Sequence, residues 1–414
     1  MLDKDNIRQL AYIVKIDEIR PIPGRDYVEC AIVNGWSIMV KKEQFKPGDL
    51  GIYFEIDSKV PEKEPFMFLE PKHFKIKTQK YKTPEGTFLS QGLLMSAEDF
   101  GWKIDYDTQD SSGDVPYICD DENEHHYVGG ESRFLTKKLG VTYAVDEDNT
   151  RKAASADKYK KMAQRNGKLF SHQPFRWLMK KEWGKKLLFL FFGRKRDKKS
   201  GWPVWVQKTD EERIENLPFL FKDKTPWIAT EKIDGTSTTF TMKRGHGFKK
   251  NEFYICSRNV VFDKPDKKCF YETNVYTEMA EKYEIEEVLT DLLNEYPQAD
   301  WITIQGETYG GKIQKRDYST TDHDFAAFNL IMSHTGRWNT IEMAEELKEY
   351  NVPTVPVLNH NYILPDTIEE LREYVNSDTS KIDKKMREGI VFRSLDGQRS
   401  FKCVSPEYLI KFHG

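Results

Sequence analysis

The 414-residue sequence lacks any apolar run long enough to cross a membrane, and it holds only five cysteines. A transmembrane helix needs about 20 consecutive apolar residues, whereas the longest apolar stretch here, LLFLFF at 187–192, is the length of one strand or short helix. The start of the sequence has no signal-peptide pattern, and the cysteines form no C-x-x-C pair that would indicate a zinc site or a disulfide framework. These absences predict an intracellular protein, with the cytoplasm as its expected location.

The net charge of −3 conceals a local asymmetry. Residues 151–200 contain 17 Lys and Arg against three acidic residues, while residues 103–150 contain 12 acidic and four basic residues. A basic block with interleaved aromatics is typical of a surface that contacts nucleic-acid phosphates and bases. A solvated helical insertion is the alternative. The aromatics concerned are Phe170, Phe175, Trp177 and Trp183.

Short runs of β-branched and aromatic residues dominate the first hundred residues. Turn signals such as Asn34-Gly35 separate them, which predicts a small β-barrel. From residue 201 onward, predicted strands alternate with a few helices, of which 278–296 and a shorter one after Pro365 are the clearest. We therefore predict an α+β protein in three parts: a barrel over 1–100, an acidic linker and basic insertion over 101–200, and a second globular domain over 201–414.

The stretch TEKIDGT at 230–236 places a lysine two residues before an Asp-Gly pair. A lysine amine can act as a nucleophile on the α-phosphorus of a nucleoside triphosphate and hold the nucleotide as a phosphoramidate. Asp234 lies close enough to bind a metal, and Gly235 lets the backbone turn tightly beside a substrate. A surface turn is the alternative for the tetrapeptide alone, but its position between two predicted strands favours a cleft.

Further elements follow this motif in order, each beside a predicted strand. Alone each is weak evidence, and in order they are specific. They are SRN at 257–259, QGETYG at 305–310, DFAAFN at 324–329, REGIVFR at 387–393 and SFKC at 400–403.

The ordered series resembles the covalent nucleotidyltransferases, the superfamily of polynucleotide ligases and RNA-capping enzymes. It is most similar to the ATP-dependent RNA ligases of the Deinococcus and Naegleria type, which carry an OB module ahead of the catalytic domain. The resemblance covers residues 1–100 and 202–414, including the lead-in KTDEER at 208–213. It implies an N-terminal OB-type barrel followed by a nucleotidyltransferase domain of antiparallel sheets with flanking helices.

The resemblance also implies the chemistry. Lys232 would attack ATP, form lysyl-AMP and pass AMP to an RNA 5′-phosphate, from which the 3′-OH of the other RNA end displaces it. Because a nucleophilic lysine must be deprotonated, we expect nearby cation charge or a bound metal to lower the pKa of Lys232. The implied metal ligands for Mg²⁺ or Mn²⁺ are Asp234, Glu307 and Glu388. The implied nucleotide contacts are Glu231 to adenine, Arg258 to ribose or phosphate, Glu307 to a ribose hydroxyl, Phe328 stacking on the base, and Lys402 to the α-phosphate.

Two of these assignments have structural alternatives: Arg258 suits a surface salt bridge, and Phe328 suits a core position. One departure from the family pattern is clear. Lys402-Cys403-Val404 stands where the family often has Lys-x-Lys, so a second cation must come from elsewhere, with Lys411 as one possibility, or be absent.

The expected partners are RNA ends, nicked or single-stranded, with RNA/DNA hybrids as a further substrate class, and the expected state is a monomer acting in RNA repair. An RNA-capping guanylyltransferase or a DNA ligase is an alternative, but those enzymes usually place an OB domain after the catalytic domain. Only 12 residues follow Lys402 here. An RNA-binding protein with an inactive catalytic domain is the non-enzymatic alternative.

Overall fold

The computed structural model describes residues 1–5, 7–105, 116–144, 178, 202–247, 249–258, 260–262 and 274–413. The aromatic residues of the predicted basic block and Asn259 of the SRN element lie outside these residues. Among the helices of the described ranges, none combines the length and the apolar character needed to cross a membrane.

The N-terminal part consists almost entirely of short strands, as its runs of β-branched and aromatic residues predict. The described strands are β1 Ala11–Lys15, β2 Glu18–Pro21, β3 Val28–Val33, β4 Trp36–Lys41, β5 Leu50–Phe54, β6 Ser58–Lys59, β7 Lys75–Ile76, β8 Gln79–Thr83, β9 Gly86–Ser90, β10 Leu93–Met95, β11 Lys103–Asp105, β12 Tyr117–Cys119, β13 His125–Tyr127 and β14 Thr142–Tyr143. They form the small sheets β1-β5-β10, β2-β3-β4, β11-β12-β13, β14-β6-β7 and β8-β9.

The described part of the acidic stretch 101–150 contains strands β11–β14, although its composition suggested loops. Ile118, Leu135 and Val141 from this stretch pack in the same buried cluster as Ile13 and Phe54 of the barrel. These apolar residues are too widely spaced to produce a recognisable strand period in the sequence. The domain limits stay a prediction, but this packing joins residues 116–144 to the N-terminal core.

The C-terminal part contains two antiparallel sheets, with β15 alone running parallel to its neighbour β25. The first sheet has the order β15-β25-β24-β16-β23 and the second β19-β18-β17-β20-β21-β22. The strands are β15 Glu212–Arg213, β16 Trp227–Lys232, β17 Thr236–Lys243, β18 Glu252–Ser257, β19 Val261–Phe262, β20 Trp301–Gly310, β21 His323–Met332, β22 Gly336–Arg337, β23 Val357–Tyr362, β24 Gly389–Ser394 and β25 Ser400–Val404.

Helices cover the outer faces of these sheets. The described helices of at least eight residues are α1 Val275–Lys282, α2 Ile285–Glu295, α3 Thr340–Glu349 and α4 Ile368–Asn376, and the chain closes with helical turns over Pro406–Tyr408 and Leu409–His413. The helix predicted over 278–296 is therefore two helices. Glu284, at φ 48°, interrupts the helical backbone between them. The helix predicted after Pro365 begins at Ile368, and the hydroxyl of Thr367 caps it.

The two parts of the chain pack directly against each other. Val404 and Leu409 of the C-terminal part belong to the same buried cluster as Tyr12 and Trp36 of the barrel. Buried hydrogen bonds accompany this apolar contact, since Asn216 Oδ1 accepts from Trp36 Nε1 at 2.8 Å and from Tyr12 Oη at 3.2 Å. The α+β prediction of a barrel followed by a domain of antiparallel sheets with flanking helices is confirmed.

Candidate nucleotidyl-transfer site

The Lys-x-Asp-Gly motif forms the connection between the two C-terminal sheets. Lys232 ends β16 of the first sheet, and Thr236 begins β17 of the second. A Cβ atom on Gly235 would lie 2.2 Å from the carbonyl oxygen of Thr308 on β20. Only glycine permits this close approach, so the motif can turn sharply where the sheets meet.

Strand register brings Lys232 and Glu388 together from positions 156 residues apart. Lys232 pairs with Gly389 across β16 and β24, so Glu388 lies one residue beyond the end of the ladder. The Lys232 Nζ donates to Glu388 Oε2 at 2.8 Å, and both side chains are largely shielded from solvent. A charged pair in such surroundings interacts more strongly than one on the surface.

Glu307 comes to the same place from the second sheet, because β20 pairs it with Ser237 just after the motif. Burial raises the pKa of Glu307 to about 8; Glu388 and Asp234 act in the same direction, and Lys232 opposes them. The two other carboxyl groups thus disfavour the charged form of Glu307, whereas Lys232 favours it.

The expected lowering of the Lys232 pKa is not found in the protein alone. Burial lowers the pKa of this amine, but Glu388, Glu307 and Asp234 outweigh burial and hold it above its usual value. The reason is that the fold gathers three carboxylates around the amine, whereas the expectation called for a nearby cation or a bound metal. A positive charge brought between these carboxylates would reverse the balance.

The three carboxylates suit a hard divalent cation, which prefers oxygen ligands. They do not form a closed cage. In the described ranges, the one group of His, Cys, Asp or Glu ligand atoms that all lie within 4.8 Å of each other is Asp120, Glu124 and His126. The open arrangement fits Mg²⁺, which usually keeps several waters. The group of Asp120, Glu124 and His126 already has a cation, since Lys138 pairs with Asp120 and Glu124.

Asp234 is held firmly on both sides. Its Oδ2 accepts a hydrogen bond from the buried Tyr408 hydroxyl at 2.8 Å, and its backbone N–H donates to the Tyr318 hydroxyl at 2.6 Å. Arg316 lies over both tyrosine rings, with its guanidinium carbon 4.2 Å from the Tyr318 centroid and 5.7 Å from the Tyr408 centroid. These contacts fix the turn that carries Lys232, and they use one carboxylate oxygen of Asp234.

Lys402 lies next to positively charged residues that its own motif does not contain. Its strand β25 pairs it with Arg213 of β15. Burial lowers the pKa of Lys402 to about 7, and Arg8 and Arg213 lower it further while Asp210 opposes them. Arg213 is itself buried, and its Nε and Nη1 have no hydrogen-bond partner among the described atoms.

Arg8 and Arg213 lie near Lys402, where the family often has a second lysine that this chain lacks. Val404 packs in the apolar cluster between the two parts of the chain, where a lysine would be costly to bury. Lys411 is exposed and lies over the Phe412 ring. The cations near Lys402 are instead Arg8 and Arg213. The lead-in KTDEER contains Arg213, whereas no sequence signal pointed to Arg8.

Arg258 lies at the edge of the same site. It forms an ion pair with Asp210 at 2.7 Å, and its guanidinium carbon is 4.9 Å from the centroid of the Tyr143 ring. Asp210 and Tyr143 come from the lead-in and from β14, two segments that sequence reasoning did not connect with Arg258. Nearby charges from Arg258, Lys402 and Arg8 hold the pKa of Asp210 below its usual value although burial opposes them.

Glu231 and Phe328 lie in the interior between the sheets. Glu231 Oε2 accepts from the backbone N–H of Lys381 at 2.7 Å, while its Oε1 is buried without a hydrogen-bond partner among the described atoms. Phe328 falls at the irregularity in the β20–β21 ladder and is partly buried against Ile233. Arg393 faces its ring, with the guanidinium carbon 5.7 Å from the centroid.

A largely shielded lysine at the junction of two antiparallel sheets, hydrogen-bonded to Glu388 and close to Glu307 and Asp234, is the arrangement expected of a lysine nucleotidyltransferase. Residues 225–411 match the family model described as RNA ligase, and residues 10–97 match an OB-fold domain model. Residues 225–411 therefore belong to the RNA ligase family, and an OB-fold domain lies ahead of them.

Solved structures agree with this assignment. Naegleria gruberi RNA ligase with PPi aligns with a TM-score of 0.65, and variants of that enzyme with AMP and Mn and with ATP and Mn align with TM-scores of 0.67 and 0.65. In each case the identity is 25%, and the alignment covers 98% of this chain and 99% of the other. No curated protein matches the chain.

Proposed function

We propose that this RNA ligase uses ATP to join a 3′-OH and a 5′-phosphate RNA end, as a monomer acting in RNA repair. In the first step the Lys232 amine attacks the α-phosphorus, a P–N bond forms, and the bond to the β-phosphate breaks to release pyrophosphate. The RNA 5′-phosphate then attacks the AMP phosphorus and frees Lys232. Finally the 3′-OH attacks the activated 5′-phosphorus, and AMP leaves.

The observation that carries this proposal is the placement of Lys232 at the junction of the sheets, 2.8 Å from Glu388 and near Glu307 and Asp234. A divalent cation, Mg²⁺ or Mn²⁺, held by Glu388, Glu307 and Asp234 would lower the Lys232 pKa and offset phosphate charge. Glu388 orients the amine through its direct hydrogen bond. Tyr408 and Tyr318 position the Asp234 turn.

The nucleotide contacts divide between the two sheets. The unpaired Oε1 of Glu231 is available to accept from an adenine amino group, and Phe328 can stack on the base from the opposite sheet. Arg258 would contact ribose or phosphate once it is released from its ion pair with Asp210. Glu307 would contact a ribose hydroxyl. Lys402 would carry phosphate charge, with Arg213 and Arg8 in place of the missing second lysine.

The test is covalent self-labelling with ATP radiolabelled at the α-phosphate, in the presence of Mg²⁺ or Mn²⁺. Wild-type protein and the control Lys249→Ala, which removes an exposed lysine, should gain an acid-labile label, while Lys232→Ala should gain none. Equal labelling of Lys232→Ala would remove the proposed nucleophile.

A second measurement separates this function from its alternatives. RNA with a nick should be sealed when the 3′-OH strand is RNA, and poorly when that strand is DNA. Preferential labelling by GTP would instead favour capping, and RNA binding without any ATP consumption would favour a non-enzymatic protein.

A further inference from the structure

The stretch 71–84 of the OB-fold domain is a concentrated positive segment. It contains five lysines and one histidine but no aspartate or glutamate. It forms β7 and β8, and β8 pairs with β9 in a hairpin that shares no ladder with the other described strands. We call the β8–β9 unit, residues 79–90, the basic hairpin.

Strand alternation sorts the basic hairpin into two faces. Lys80 and Lys82 are exposed, while Tyr81 between them is half-buried and its ring lies 6.4 Å from that of its cross-strand partner Phe88. Side chains two residues apart on a strand lie roughly 7 Å apart on one face. In the part of the chain that the structure describes, neither lysine has an ion pair, so their charge serves no fold contact there.

The strand that precedes the hairpin lies in the same small sheet as β14, which reaches the edge of the catalytic site. This strand is β7 of the sheet β14-β6-β7, in which Lys75 pairs with Lys59 and Lys59 with Thr142. Two strand spacings place the Lys75 backbone roughly 10 Å from that of Thr142. The next residue, Tyr143, packs under the Arg258 guanidinium. From Lys75 the chain leads through Lys77 to Lys80 and Lys82 of the hairpin.

We propose that the basic hairpin contacts the phosphate backbone of the RNA duplex beside the joint. This inference rests on the proposed ligase function. RNA is a polyanion, and two unpaired lysines on one strand face can meet neighbouring phosphates. The aromatic pair lies on the opposite face, which leaves the lysine face without a stacking surface for unpaired bases. Backbone contact with a duplex is therefore favoured over capture of a single strand.

The test compares Lys80→Ala/Lys82→Ala with a matched control, Lys222→Ala/Lys348→Ala, which removes two exposed lysines of the ligase domain. Binding of a nicked RNA duplex is measured by fluorescence anisotropy between about 50 and 200 mM salt. The hairpin variant should reduce the slope of log K against log salt by about two and weaken binding at the low-salt end. The control should keep the wild-type slope.

Three outcomes decide the inference. An unchanged slope in the hairpin variant, or an equal loss in the control, overturns it. A loss as large on single-stranded RNA as on the duplex overturns the choice of duplex. Self-adenylation involves no RNA and should be the same in all proteins. Wild-type protein that binds RNA through the hairpin but gains no AMP label would contradict the proposed function and leave the hairpin contact standing.

Discussion

Lys402 should take up a proton when ATP binds. In the protein alone, burial and the neighbouring Arg8 and Arg213 lower its pKa to about 7. Triphosphate next to this amine favours the charged form and raises its pKa. A lysine that is partly neutral before binding and fully charged afterwards must draw a proton from the buffer.

The size of this uptake follows from the pKa. At pH 8 an amine with a pKa of about 7 is charged in about one molecule in ten, so ATP binding should take up about 0.9 proton. At pH 6 it is already mostly charged, and uptake should fall to about 0.1 proton. The uptake through Lys402 thus grows as pH rises from 6 to 8.

The assay is calorimetric titration of ATP in buffers of different ionisation enthalpy. A metal chelator is present, so no adenylation occurs. The heat difference between buffers gives the number of protons exchanged. Lys402→Met should lose the Lys402 share of the pH 8 uptake, about 0.9 proton, whereas Lys411→Met, which removes an exposed lysine, should keep it. Subtracting the Lys402→Met result removes protons exchanged by ATP itself.

Two results would refute this reasoning. Equal proton uptake by wild type and Lys402→Met at pH 8 would mean that Lys402 is already charged before ATP arrives. Loss of uptake in Lys411→Met would mean that the uptake does not report on Lys402 alone.

Three other changes test the geometry of the site. Gly235→Ala should abolish self-adenylation because its Cβ would overlap the Thr308 carbonyl. In the control Gly129→Ala the added Cβ meets nothing within 4 Å, so this variant should label normally. Comparable labelling of both variants would contradict the close approach at Gly235. Tyr408→Phe should lower the free energy of unfolding, measured by chemical denaturation, by about 1.5–3 kcal/mol, the usual loss for a hydrogen bond to a charged group, and it should slow adenylation. The control is Tyr27→Phe, at a side chain that is 87% exposed. Equal stability of the two variants would argue against the Tyr408–Asp234 bond. Arg213→Met should raise the Lys402 pKa, because one neighbouring cation is lost, and so move the rise in proton uptake to higher pH; an unshifted profile would mean that Arg213 does not act on Lys402.

The ligase domain could be predicted from sequence patterns because its candidate site residues lie on or beside strands. Lys232, Glu307, Glu388 and Lys402 each belong to a short motif whose order is specific. The helix at 278–296 was predicted from its apolar period, and the break at Glu284 was missed because a single residue in a left-handed conformation leaves that period nearly intact.

Order along the chain predicted the family, the candidate nucleophile and the set of acidic residues, since motif chemistry depends on residue type and spacing. Tertiary packing alone decided the electrostatics. Arg8, Arg213 and Tyr143 reach the site through contacts between distant segments, and Tyr408 closes on Asp234 from 174 residues away. Burial and neighbouring charge then set the pKa values, raising that of Lys232 and lowering that of Lys402. Two residues of one type thus acquire opposite properties, because a pKa depends on what surrounds a group in space.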